Sequence, residues 1–501
     1  MSRCRCVAFA CQLIAVTVVV LASSPVAASP EFVVTFDPAV RNEPYTGRVY
    51  VFFSRENAEP RRGPDWFYPE PFFAKDVTGW QPGEPLTLAA DDPALHSFPK
   101  PLADLALDGY RAQAVARFNP WEREVGVGAG NGYGPAVNVA GDAGRVRLTI
   151  DRLVESRPYE ETAWGKPIEV RSERLSAFHG RDVALRGTVI LPSSYHDEPN
   201  RRYPTIFTIP GFGGDHRIDP IREPVPEQNE RGVEFLRVML NPNMPSGHHV
   251  FADSDNNGPV GTALVEEFLP TFDKEYRSIP EPTARFVTGH SSGGWSSLWL
   301  QVSHPDVFGG VWSTAPDPVD FHDFQQIDVY RDGENVYFDR DGQPRPLARR
   351  NGDVVLLYRD FDRMEQVLGH GGQLQSFEAV FGPKGDDGRP APLWDRKSGA
   401  IDPAVAETWK RYDVRLVLEE NWPKIGKDLA GKIHVFMGDE DTFYLEGAAR
   451  LLKESLHRLG SDAVVELVPD RDHFTLLTPE LTARMRREMT TAFLRRHPQG
   501  R

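Results

Sequence analysis

The stretch Gly289-His290-Ser291-Ser292-Gly293 constrains this chain more than any other. It follows a short β-prone run, Ala284 to Val287, and leads into Gly294-Trp295-Ser296-Ser297-Leu298. Strand, tight turn and helix thus come in the order of a nucleophile elbow, where a serine sits at the apex of a strained strand-to-helix turn. The glycines let the backbone turn sharply and keep side chains clear of the serine. A bare G-x-S-x-G recurs by chance in many proteins, so the surrounding sequence has to carry the inference.

That surrounding sequence alternates strands and helices. Ile168 to Leu175 and Val183 to Leu191 read as two paired strands. Tyr203 to Pro210 and Phe235 to Leu240 read as buried strands. Thr262 to Tyr276 has helical spacing at Leu264, Val265, Phe268, Leu269 and Phe272. After the elbow come strands at Phe308 to Trp312, Ile433 to Met437 and Val464 to Val468, and a closing helix from Pro479 to Arg496. This rhythm predicts an α/β class protein, a mainly parallel sheet with helices on both faces. Between about 316 and 428 the rhythm breaks. Asp332-Gly333 and Asp341-Gly342 punctuate an expected hairpin that includes Asn335 to Phe338, and Phe361 to Leu368 and Pro403 to Trp409 look helical. An insertion there emerges at the carboxyl edge of the sheet, above the serine, as a lid or substrate-shaping block.

Residues 29–166 look all-β. Arg48 to Phe53, Tyr110 to Ala116 and Val146 to Ile150 are rich in β-branched and aromatic residues, with no dominant helical period. The expectation is a β-sandwich of immunoglobulin-like type. Gly126 to Gly134 lacks the Lys-Ser/Thr ending of a phosphate-binding loop and reads as a sandwich loop. The expected division is therefore 1–28, 29–166 and 167–501.

Residues 1–28 read as an export signal. Arg3 and Arg5 precede an apolar run of about 16 residues, short for a membrane span, and small residues follow up to Ala28. All 3 cysteines lie in this segment. The expected mature protein then has no disulfide, thiol nucleophile or cysteine metal site, and at about 470 residues it can rely on its own core. The segment holds two of the 57 basic residues and none of the 72 acidic ones, so cleavage takes the net charge from -15 to -17. Such a surface disfavours nucleic acid and anionic lipid. The expected location is periplasmic or extracellular, without stable membrane insertion.

Three further features supply chemistry. Gly438-Asp439-Glu440-Asp441 follows the strand Ile433 to Met437; a carboxylate there can orient a histidine, with Asp441 the first choice and Asp439 the fallback. Asp470-Arg471-Asp472-His473-Phe474 follows the strand Val464 to Val468, and His473 can take the Ser291 proton. Pro210-Gly211-Phe212-Gly213-Gly214 ends a buried strand where backbone N–H groups can meet a developing oxyanion. The N–H of Phe212 (Gly213 as the alternative) and that of Ser292 are the expected donors. The order Ser, Asp, His is that of the α/β-hydrolases. Among the other histidines, His457 reads as helix surface and His248-His249 as loop. His290, Trp295, Trp312, Asp317 and His322 are candidates for the pocket or lid interface. Asp253 to Gly258 matches the first half of a calcium loop, but position twelve is Leu264, so a turn and helix cap is expected and no metal.

Pro-Gly-Phe-Gly-Gly at 210–214, Gly-His-Ser-Ser-Gly-Gly at 289–294, Gly-Asp-Glu-Asp-Thr-Phe-Tyr-Leu at 438–445 and Asp-His-Phe at 472–474 together resemble the esterase D-like esterases. Glu266 to Pro270, followed by Tyr276-Arg277, also looks like the helix before the elbow in that α/β-hydrolase group. The group includes feruloyl, acetyl xylan and enterochelin esterases and mycolyltransferases. The resemblance implies Ser291 as nucleophile, Asp441 as acid and His473 as base, and a β-domain before the hydrolase is similar to the enterochelin-esterase arrangement. The block after Trp312 lies outside the shared pattern.

The expected activity is exported serine carboxylic-ester hydrolysis through an acyl-enzyme, without a cofactor, on a small-molecule or polysaccharide-linked ester. Three alternatives stay open: a prolyl-oligopeptidase-like serine peptidase, an acyltransferase, and a glycan-binding protein with an inert hydrolase domain. The peptidase needs a propeller, and about 140 residues without a blade repeat cannot make one.

Overall fold

Strand Tyr45–Ser54 is apolar from Val49 to Phe53, and both faces of that run are buried. In this computed structural model, which describes residues 30–141, 143–225 and 231–499, the strand lies inside a seven-stranded sheet. Val49, Val51 and Phe53 point to one side, where they meet a three-stranded sheet that includes Glu31–Phe36 and Arg145–Ile150. Phe32 packs edge-on against Phe53 at 5.1 Å, and Phe36 against Trp80 at 4.6 Å. The two sheets enclose a sandwich core of their own. Tyr50 and Phe52, which alternate with the first set, point the other way and join the large core of the rest of the chain.

That second core surrounds an eight-stranded sheet. Its strands are β1 (Gly165–Arg171), β2 (Ala184–Ile190), β3 (Thr205–Ile209), β4 (Leu236–Leu240), β5 (Arg285–His290), β6 (Gly310–Thr314), β7 (Ile433–Gly438) and β8 (Val464–Val468). Their order across the sheet is β1-β2-β4-β3-β5-β6-β7-β8. β1, β2 and β4 pair antiparallel, and every later pair is parallel. With helices on its faces this is the α/β-hydrolase fold, preceded by an all-β sandwich. Of the central strands, β6 is buried along its whole length and β3 at all but Thr208, as cover on both faces of the sheet requires.

Several local expectations need correction. The strand read from Ile168 to Leu175 stops at Arg171. Ser172 then accepts the Leu175 N–H and caps a short helix, Glu173–His179, which ends on Gly180 at φ 64°. The hairpin expected around Asn335 to Phe338 is reduced to one antiparallel bridge, Phe338 with Pro344, closed around Asp341-Gly342 by the Asp339 N–H on the Gln343 carbonyl, and a regular hairpin follows it. Pro346–Arg350 pairs with Asp353–Leu357 across Asn351-Gly352, both at positive φ, the Asn-Gly signal for a two-residue hairpin turn. His248 ends a two-residue strand, Gly247–His248, and His249 lies in the loop after it; both are about 1% exposed. His457 does lie exposed on a helix, Glu446–Arg458. The export-signal segment 1–28 lies outside the described residues. Among the described residues, no helix is long and apolar enough to cross a membrane.

Candidate active site

The carboxyl ends of β3, β5, β6, β7 and β8 converge on one cavity of ≈ 590 Å³, within the range of small-molecule sites. Ser291 stands between β5 and helix α1 (Ser292–Ser303) at φ 59°, ψ -126°. This backbone region is sparsely populated by any residue but glycine and costs about 1–3 kcal/mol. The turn is held from three sides. The Ser291 N–H donates to the Thr314 carbonyl at 3.1 Å, and its carbonyl accepts from Trp295 and Asp317. A β-carbon at Gly293 would run into the Ile209 carbonyl, and one at Gly289 into Gly293. Those glycines are needed because β3, β5 and α1 touch through their backbones.

Asp441 and His473 come together beside the serine. His473 Nδ1 donates to Asp441 Oδ2 at 2.8 Å, and Asp441 Oδ1 accepts the Phe443 N–H at 2.8 Å. The pair is buried, at 0% and 3% exposure. Burial pulls the His473 imidazole down, but the charge and hydrogen bond of Asp441 outweigh it and hold the ring above its ordinary value. Asp439 points elsewhere, accepting the Asp470 N–H at 2.9 Å. Ser291, His290 and His473 line the same cavity. Among the described residues no hydrogen bond joins the Ser291 hydroxyl to His473; catalytic hydrogen bonds of this kind tighten on the substrate.

Gly211 lies against the serine: a β-carbon there would sit 3.1 Å from Ser291 Cβ. The turn closes with the Gly214 N–H on the Gly211 carbonyl, and Gly213 takes φ 88°. Buried His248 fixes the turn from below, with Nε2 2.9 Å from the Pro210 carbonyl and Nδ1 accepting from Val250. Burial pushes His248 down to about 4, so it is neutral and able to hold that tautomer. Ser292, at the start of α1, donates its hydroxyl to Asp317 Oδ2 at 2.5 Å.

A family model described as "Putative esterase" matches residues 180–458, more than half of the chain. The chain belongs to this esterase family. As a member it is a carboxylic-ester hydrolase. A comparison with curated proteins gave no match. Solved structures to which the esterase is similar include a ferulic acid esterase at 14% identity, covering 62% of this chain and 92% of that one, with a TM-score of 0.36. An S-formylglutathione hydrolase from Agrobacterium tumefaciens is 13% identical over 65% and 94%, TM-score 0.38. A ferulic acid esterase from Anaeromyces mucronatus, in complex with ferulic acid, is 15% identical over 67% and 94%, TM-score 0.34.

Of the other candidate residues, the esterase places His290 and Asp317 in the cavity. Burial pushes the Asp317 carboxyl up to about 6, and burial with His473 nearby pushes His290 down to about 4. Trp295 and Trp312 are core, and His322 packs with Asp320 and Arg415 away from the cavity. Asp320, His322 and Asp413 cluster as metal ligands could, but the Arg415 guanidinium sits on Asp320 and His322. Asp253 caps Thr262 and Asp255 pairs with Arg411. Sequence reasoning missed three groups. Arg349, on the hairpin, donates to the Asp441 carbonyl at 3.1 Å and pairs with Glu446. Glu365 is buried on the cavity wall, and its carboxylate accepts from Leu374 and Gln375 at the start of a helix, Gln373–Phe381. Trp66 and Arg123 reach in from the sandwich. None lies in a recognisable motif; only the fold brings them near Ser291.

Proposed function

We propose that this esterase works through Ser291, His473 and Asp441. Ser291 Oγ attacks the ester carbonyl while His473 takes its proton, and the N–H groups of Phe212 and Ser292 hold the oxyanion. His473 returns the proton to the leaving alcohol. Water, activated by His473, then cleaves the acyl-enzyme. Asp441 keeps the His473 proton on Nδ1 and stabilises the imidazolium. The observation that carries this reading is the buried His473–Asp441 hydrogen bond, opening on the same cavity as a serine in a strained elbow.

The domain reading goes with it: a sandwich over 29–166 and a catalytic unit over 167–501, whose block at about 316–428 shapes the substrate. Leu347, Phe361, Met364 and Phe377 of that block face the cavity, which supports the role. Export with cleavage near Ala28 completes the reading, on a small-molecule or polysaccharide-linked ester. The test is a p-nitrophenyl ester panel with wild type and Ser291→Ala, beside peptide anilides. Ester turnover lost with Ser291→Ala is the expected result. Turnover that survives the substitution refutes the mechanism, and turnover of anilides alone makes the protein a peptidase.

A further inference from the structure

One wall of the cavity comes from the sandwich, through residues 61–67 and 123–127. These two loops act as one piece. Arg61 donates to the Gly126 carbonyl at 2.5 Å, and a β-carbon at Gly126 would collide with the Arg61 carbonyl. From this piece two side chains meet on Phe212. The Arg123 guanidinium lies 4.6 Å over its ring, and the Trp66 ring lies 5.6 Å from it. Both are braced from behind. Arg123 pairs with Glu124 at 3.0 Å, and its side chain is 12% exposed. Trp66 meets Phe361 edge-on at 4.9 Å.

The grip falls between two backbone holds, His248 on the Pro210 carbonyl and the Gly214 N–H on the Gly211 carbonyl, neither of which touches Phe212 itself. Phe212 stands among Gly211, Gly213 and Gly214, and glycine leaves a backbone many states. An oxyanion donor must instead be fixed before the reaction, because its value lies in needing no reorganisation. We propose that Arg123 and Trp66 clamp the Phe212 ring and so position its N–H for the oxyanion. The sandwich is then part of the catalytic unit, and Arg123 and Trp66 are positioning residues. The proposal rests on the Ser291 reading above.

The test uses the full mature chain with p-nitrophenyl acetate, butyrate and benzoate, each rate normalised to the serine titrated by a phosphonate. Arg123→Met keeps the apolar stem and removes the cation over the ring; Trp66→Leu removes the second jaw. Each is expected to lower kcat about tenfold, by the same factor on all three esters, with KM changing less than about twofold. In a Phe212→Ala background, Arg123→Met is expected to have an effect below about twofold, since the clamp then has nothing to hold. A loss confined to the KM of the benzoate, or an equal loss in both backgrounds, overturns the clamp and leaves a plain pocket wall. If Ser291→Ala kept its activity, the parent reading would fail; if Ser291→Ala is dead and both clamp variants are unchanged, only the clamp fails. Thermal unfolding of each variant separates positioning from loss of fold.

Discussion

Asp441→Asn is the sharpest single test of the proposed triad, because the surroundings of Asp441 dictate what the amide must do. Asp441 Oδ1 accepts a backbone N–H from Phe443, a donor that cannot be reversed, and Oδ2 accepts from His473 Nδ1. An asparagine satisfies every partner only by turning its oxygen to Phe443 and its NH₂ to His473. His473 must then carry its proton on Nε2, where it cannot take one from Ser291. The productive arrangement sets two donors, Nδ2 and the Phe443 N–H, against each other in a fully buried site, at a cost of about 1–3 kcal/mol. Loss of the charge-assisted bond to the imidazolium adds about 1.5–3 kcal/mol in the transition state. Together these come to roughly 2.5–6 kcal/mol, or about 10²- to 10⁴-fold in kcat at 1.36 kcal/mol per decade. The upper end matches the loss of about 10⁴ in a comparable triad.

The assay is steady-state hydrolysis of p-nitrophenyl butyrate with unfolding temperatures measured in parallel. Asp439→Asn is the control: its oxygen can still accept the Asp470 N–H, so a change below about threefold is expected. Because the Asp441 carboxylate holds the His473 imidazole up, the acid limb of kcat/KM should move to lower pH in the Asp441→Asn variant. A loss of less than about tenfold, or an equal loss from Asp439→Asn, would refute the assignment of Asp441.

Three other perturbations have expected outcomes. In the wild type His473 must be neutral to act as base, and its raised pKa means that activity falls as pH drops through a value above that of free imidazole; Asp317 contributes to that rise, so Asp317→Asn should shift the limb in kcat/KM to lower pH. Gly293→Ala drives a β-carbon into the Ile209 carbonyl and should destabilise the fold by about 1–3 kcal/mol or more, read as a lowered unfolding temperature or loss of soluble protein. Tyr50 donates to the Leu368 carbonyl at 2.6 Å across the sandwich interface, so Tyr50→Phe should cost about 1 kcal/mol in chemical denaturation while leaving the kcat of a small ester within about twofold.

The sheet and the chemistry-bearing loops were legible because each has a local cause. Central strands are apolar on both faces, so Tyr203 to Pro210 stands out without any partner in view. The glycines of 289–294 stand out because backbones touch there, and the Ser, Asp, His order follows from strand ends. The misreadings are local as well. Asp341-Gly342 turns the chain for only a single bridge, whereas Asn351-Gly352, an equally local signal, sits in the turn of the regular hairpin. The strand through Leu175 ignored Ser172, a helix cap with Glu173 after it. The loop reading of His248-His249 carried no sign of their burial, which is offset by hydrogen bonds to backbone at Pro210, Val250 and Phe251.

The walls of the cavity had no such local cause. Trp66 and Phe67 sit in a proline-rich stretch that by itself says only loop, and Arg123 looks like any surface arginine. Their placement depends on the second buried face of strand Tyr45–Ser54. Because Tyr50 and Phe52 point away from the sandwich core, the sheet must lie against another apolar surface, the one carried by helix Tyr358–Leu368. Arg48 and Tyr50 then donate to the carbonyls of Gln366, Val367 and Leu368 at the end of that helix, as helix termini need. The same docking brings Trp66 onto Phe361 and Phe212. A strand too apolar for one face of a sandwich is thus the sequence trace of the interface, and the interface decides which residues face the serine.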